Sequence, residues 1–300
     1  MKRKISLVLF VVLSAALIWY LFIKPTDYLV SFTVNTFPGT VNQTIKNWEK
    51  NMVVDAPLKE HGILNIEQQL RFGDSIVTYD WRIVPLTDST SKVKVLIKDL
   101  DHSLMNKIMI PFTSTVIEKR SKKNLLDFNQ YLNEHLKKFK VKIVGEDELK
   151  STYCAYLAVK GLQSEKAFGM MRDFPFLSGF VKENGLKVNG YPFVEITKWD
   201  MVSVSIAYNF CFPILKQDSL PINKEIKYKN FESRRVLKAI YNGNYITSDR
   251  AWYKLLDYAE MNAIALEKKP IEVFQNNPNM GGNELEWIAE IYMPLKESDE

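Results

Sequence analysis

PIEVFQNNPNMGGNELEWIAEIYMPL occupies residues 270–295, and its alternation decides how the second half of the chain folds. Two strands are expected in it, 270–275 and 285–293. Successive side chains on a strand point to opposite faces. Ile288, Glu290 and Tyr292 therefore share one face. Trp287, Ala289, Ile291 and Met293 share the other, the apolar side expected to pack on helices.

The same marks occur earlier in the chain. Asn184 in FVKENGL matches Asn262 in YAEMNAI, Glu195 in PFVEI matches Glu272 in PIEVF, and Pro213 in NFCFPI matches Pro294 in EIYMPL. The separations are 78, 77 and 81 residues. Three ordered matches near one period indicate an internal duplication. Each copy reads strand, helix, strand, strand. The first copy has strands at 153–160, 192–198 and 201–212, and a helix within 165–184 that Pro175 starts or kinks. The second adds a strand at 235–241 and a helix capped by Ser248 or Asp249, with an apolar stripe of Trp252, Leu255, Leu256 and Ala259.

These residues resemble the closing signature of the gyrase-inhibitor-like, AraC-type effector-binding domains. The resemblance covers about residues 150–296 and implies a duplicated βαββ effector-binding domain over residues 146–300. It further implies a groove between the halves that takes a small, amphipathic, aromatic or cationic molecule. An acidic residue on that family's last strand faces the groove, and the matching position here is Glu290. A carboxylate among aromatic walls is costly to bury alone, and a cationic ligand would compensate it. Ile288 and Tyr292 share its face. Asn209 is the matching position of the first copy, on a face of small residues that includes Ser205. Tyr245 and Trp252 complete the expected lining from the helix edge of the second copy, although a core role for Trp252 is the simpler reading. Glu195 and Glu272 are expected to satisfy structural hydrogen bonds.

Upstream, a charged segment at 141–150 marks a boundary. Before it, residues 28–34, 64–72, 76–84 and 92–98 alternate as strands, and a loop runs through Pro57 and Gly62. Pro38 opens a first helix, and Thr113 or Ser114 caps a long final one with the stripe Ile117, Leu125, Phe128, Leu132, Leu136 and Phe139. DYLVSFTVNTFPGTVNQTIKNW and MNKIMIPFTSTVIEKRSKKNLLDFNQYLNEHL resemble the first strand and helix and the last helix of the START-like, polyketide-cyclase-like (SRPBCC) helix-grip fold, here over residues 27–145.

Residues 1–26 read as a transmembrane anchor. Ile5–Ile23 carries no charge and, as a helix, spans roughly 29 Å. Lys2, Arg3 and Lys4 precede it and only Lys24 directly follows, which places the N-terminus in the cytoplasm and the soluble domains outside. A cleaved signal peptide would end at Ser14-Ala15-Ala16, but strongly apolar residues continue beyond that point.

The overall expectation is an α+β chain of anchor, START-like domain and effector-binding domain, a membrane-anchored ligand-binding protein. A net charge of +5 over 300 residues requires no nucleic-acid partner. His61, His102 and His135 lie far apart, so no metal site is expected, and no cofactor motif or catalytic triad is present. Cys154 and Cys211 read as buried free thiols, with a disulfide between them as the alternative if the body is exported. The alternatives are a hydrolase using Glu290 as general base, and a structural envelope protein that binds a protein partner of unknown kind.

Overall fold

The computed structural model describes residues 2–87 and 89–296. The chain is mixed α/β with two antiparallel sheets, and it divides into two compact units after Asn133. Helix α1 (Lys2–Ile18) runs on through a wider turn, Trp19–Ile23. The 20 residues Lys4–Ile23 are long and apolar enough to cross a membrane.

In the first unit, β1 (Tyr28–Val34), β2 (Val54–Glu60), β3 (Asn65–Phe72), β4 (Ser75–Thr87) and β5 (Thr90–Asp99) form a sheet in the order β1-β5-β4-β3-β2. Helices α2 (Pro38–Glu49), α3 (Ser103–Met109) and α4 (Val116–Leu136) complete it. Alternation was a sound guide: Val77, Tyr79, Trp81 and Ile83 of β4 are all buried. Phe128 of α4 meets Trp81 at 4.9 Å and Trp48 of α2 at 5.5 Å between ring centres, so aromatic rings fill the space beneath the helix. The segment expected as a loop through Pro57 is strand β2. It is an edge strand with an irregular register, a position that tolerates proline. The cap of α4 is Thr115, whose Oγ1 accepts from Glu118 N at 3.2 Å, rather than Thr113 or Ser114.

The second unit is built on eight strands: β6 (Phe139–Leu149), β7 (Thr152–Leu162), β8 (Phe193–Asp200), β9 (Ser205–Pro213), β10 (Lys227–Phe231), β11 (Arg234–Gly243), β12 (Ile271–Phe274) and β13 (Ile288–Pro294). Their order is β10-β7-β9-β8-β12-β13-β11-β6. The charged segment 141–150 is thus largely strand, bulged where Gly145 takes a positive φ of 116°. The strand expected from residue 201 begins at Ser205, after a turn in which Val204 has φ 54°.

Helices α5 (Lys166–Glu183) and α6 (Arg250–Met261) pack on one face of this sheet. Ala289, Ile291 and Met293 are fully buried there, as the parity of β13 requires. Pro175 lies inside α5. Asp249 stands at the N-cap of α6 without capping it, because its carboxylate takes hydrogen bonds from Gln163 and Arg250. Cys154 and Cys211 are free and buried on the opposite face of the sheet.

The repeat marks have local causes. Asn184 and Asn262 end α5 and α6, and each Nδ2 donates to the carbonyl four residues back, at 2.9 and 2.8 Å. The glutamates behave differently. In the β8–β12 ladder Glu272 stands opposite Val194 and Glu195 opposite Ile271, so the two carboxylates lie on opposite faces.

Candidate functional site

A cavity of about 320 Å³ opens on the helix side of the second sheet. Such a volume lies at the lower end of small-molecule sites, roughly 300–1,000 Å³. One wall is α5, where Ala167, Met170, Met171 and Phe174 recur at helical spacing and present a single stripe. The floor is aromatic: Phe210, Phe274, Tyr245 and Trp287. Tyr245 sits 4.8 Å from Phe274 and 5.7 Å from Trp287 between ring centres. The rim carries neutral amides, Asn244, Gln275, Asn276, Asn277 and Asn279. Among the described residues, no ionisable group other than the tyrosines Tyr191 and Tyr245 lines the cavity.

The rim is held by its own backbone bonds. Asn277 and Asn244 accept from Asn279 N and Ile246 N, both at 3.0 Å, and Asn276 accepts from Ile288 N at 2.8 Å. Tyr245 donates its hydroxyl to Ile288 O at 2.9 Å and accepts from Asn276 N at 3.2 Å. Burial pushes that phenol up to about 12, so it stays protonated and offers its ring face rather than its proton.

Beside this floor lies a buried polar cluster. Glu272 is fully buried on the helix face and accepts from Lys166, from Ser248 at 3.0 Å and from Trp252 Nε1 at 2.5 Å. The Lys166 ammonium also lies 4.8 Å from the Trp252 ring centre and 5.9 Å from that of Phe274. Burial raises the Glu272 carboxyl, and the adjacent ammonium opposes that rise. An internal cation therefore already fills the aromatic and carboxylate surroundings at this point. The cluster continues through Gln163, which takes Trp199 Nε1 at 2.8 Å.

Of the residues singled out in the sequence, Tyr245 lines the cavity. Trp252 is fully buried beneath it, held to Glu272. Ile288 contributes its backbone carbonyl to Tyr245. Glu290 and Tyr292 lie on the opposite sheet face, where the Tyr292 hydroxyl donates to Glu290 and Lys238 Nζ stands 3.5 Å from the carboxylate. Burial and that carboxylate push the Tyr292 phenol well above its ordinary value. Asn209 donates to Glu195 at 2.7 Å on the same face, and Ser205 bonds Ser203 at 2.8 Å. Glu195 also pairs with Lys229, so both repeat-matched glutamates do satisfy structural hydrogen bonds. Sequence reasoning passed over Phe274, Trp287 and the α5 stripe. The spacing of Met170, Met171 and Phe174 was the available signal.

Residues 148–296 match the model of the GyrI-like small molecule binding domain. No curated protein sequence matches the chain. Among solved structures, the chain is similar to the EcmrR C-terminal domain, at 16% identity and a TM-score of 0.44, over 53% of this chain and 99% of that one. It is similar to SAV2435 bound to tetraphenylphosphonium, at 14% identity and a TM-score of 0.35, over 53% and 93%. It is also similar to a hydrolase from Listeria innocua, at 11% identity and a TM-score of 0.31, over 51% and 92%.

Proposed function

We propose that the GyrI-like small-molecule-binding domain at residues 148–296 holds a small, neutral, aromatic or amphipathic molecule in the cavity between α5 and the amide rim. One observation carries this reading. The walls are aromatic and thioether groups, the rim is neutral amide, and the nearby buried carboxylate, Glu272, is already paired with Lys166. Apolar burial supplies the affinity, at roughly 25 cal/mol per Å² removed from water. The amides supply orientation. A cation entering here would gain only the ring faces, worth about 2 kcal/mol when desolvated, with no free carboxylate to meet it.

The test compares two probes of similar size by calorimetry on the detergent-solubilised full chain. Triphenylphosphine oxide is neutral and tetraphenylphosphonium is cationic. The neutral probe is expected to bind several-fold more tightly, and Met171→Arg is expected to abolish its binding. Tighter binding of the phosphonium would reverse the ligand class, and binding of neither would remove the reading.

The finer architecture belongs to the same proposal. The second unit is a duplicated βαββ domain, supported by the equivalent helix ends at Asn184 and Asn262. The first is a START-like helix-grip domain, supported by a five-stranded antiparallel sheet with long α4 over it. Lys4–Ile23 is an uncleaved anchor that leaves the body on the extracytoplasmic side, supported by the cations that precede it.

A further inference from the structure

Helix α3 is built inside out. Its inward face carries Ser103, Asn106 and Lys107, and its outward face carries Leu104, Met105, Ile108 and Met109. Asn106 and Lys107 are only 6% and 3% exposed, whereas Met105 is 61% exposed. The apolar surface continues along the chain to Phe112, 84% exposed, and Val116, 77% exposed. In water this arrangement is unfavourable, because a surface helix normally buries its apolar stripe.

The polar face has specific work. Lys107 Nζ donates to the carbonyls of Lys24, at 2.5 Å, and Leu21, at 3.4 Å, and lies 4.0 Å from Asp27. Ser103 donates to Asp27 at 2.5 Å, and Asn106 donates to Asp99 at 3.2 Å. The Tyr20 hydroxyl donates to the Lys107 carbonyl at 3.2 Å. The Lys107 and Tyr20 bonds staple α3 to the last turn of the apolar helix, and the Ser103 and Asn106 bonds fix it to Asp27 and to the end of β5. Its outward face thus shares the surroundings of Trp19, Phe22 and Ile23, which are themselves exposed. The cations Lys119, Lys122 and Lys123 follow on exposed positions of α4.

We infer that α3 and the following turn, through Phe112 and Val116, lie in the membrane interface beside the point where the anchor leaves the bilayer. The partner is the lipid surface: acyl chains meet the apolar face, and anionic headgroups meet the α4 lysines. The inference rests on the reading of Lys4–Ile23 as an anchor. An amphipathic segment at that depth, with Leu, Ile and Met on its apolar face and Phe112 at its end, fixes how the first unit stands on the membrane.

The experiment places an environment-sensitive fluorophore on single introduced cysteines in the full chain, reconstituted in vesicles of phosphatidylcholine and phosphatidylglycerol. Cys154 and Cys211 are buried, so labelling is confined to the new thiol. The sites are Phe112→Cys, Val12→Cys within the anchor, and Tyr131→Cys on α4 as a solvent reference. Brominated acyl chains are expected to quench the Phe112 and Val12 labels several-fold more than the Tyr131 label. Iodide in the buffer is expected to show the reverse order. Lipid quenching at Val12 without any at Phe112 overturns this inference alone. Its absence at Val12 overturns the anchor, and the inference with it. A Phe112 label shielded from both quenchers shows a protein partner on this face, and also overturns it.

Discussion

Lys166 and Glu272 are each almost completely buried, and their proximity links residues 106 positions apart. Removing one charge from a buried pair strands the other, at about 3–5 kcal/mol, whereas replacing both is close to neutral. Lys166→Met is therefore expected to destabilise the chain by about that amount, and Lys166→Met with Glu272→Gln to recover most of it, as read by urea unfolding. An additive double variant would show that the two groups do not act as a pair. His135 supplies a pH dependence. It accepts from Arg250 Nε at 3.2 Å through Nε2, which requires a neutral ring. Burial first, and the Arg250 charge second, lower its pKa from 6.5 to about 4. The unfolded chain thus binds more protons between those values. This stability is complete above about pH 6.5 and is lost as pH falls toward 4, on the order of 2 kcal/mol after allowance for a partly wet ring. The melting temperature is expected to fall over that window and to flatten in His135→Gln. An unchanged slope in the variant would remove His135 as the cause. Neither the pair nor the histidine contact was legible in the sequence, since no local pattern joins residue 135 to 250 or 166 to 272. Parity located Glu290 and Ala289 on their faces, but it does not say which face holds a cavity.

The ends of α5 and α6 offer a controlled comparison between elements. After Asn184 the chain passes through Gly185 at φ 64°, and after Asn262 through Ala263 at φ 55°. Both ends close in the same way, with Leu186 N donating to Val181 O at 2.9 Å and Ile264 N to Ala259 O at 2.8 Å. A residue with a Cβ pays roughly 1–2 kcal/mol in this left-handed conformation, and glycine does not. Ala263→Gly is expected to stabilise by about 1 kcal/mol, less the backbone entropy that glycine loses, and Gly185→Ala to destabilise by a similar amount. Thermal shifts of about 2–4 °C in opposite directions would check this. Shifts of the same sign would refute the equivalence of the two ends. Elements with strong alternation or helical stripes were readable in advance, β4 and α6 above all. The edge strands β2, β6 and β10 were not: proline, charge and irregular pairing are what keep an edge from aggregating, and they also erase the strand pattern. Helix α3 was hidden for a different reason, because its apolar face points outward and its polar face inward.

For the whole molecule, the proposed anchor carries a prediction of direction: if Lys4–Ile23 crosses a membrane, its orientation decides on which side every later residue resides. Lys2, Arg3 and Lys4 stand before the apolar run and Lys24 directly after it, a difference of two cations in favour of an N-terminus retained in the cytoplasm. The free energy of translocating Lys or Arg makes this bias local, so the loop charges nearest the helix weigh most. The body is then expected outside the cytoplasm. A C-terminal fusion to alkaline phosphatase should be active and the same fusion to a cytoplasm-dependent fluorescent protein dark, with both full-length and resistant to alkaline carbonate extraction. Replacing Lys2, Arg3 and Lys4 with Glu while adding Lys after Lys24 should weaken or invert this pattern. A full-length but carbonate-soluble product would show that the helix does not span. A fluorescent, phosphatase-negative fusion of the unaltered chain would place the cavity of the second unit in the cytoplasm and redirect the search for its ligand to that compartment.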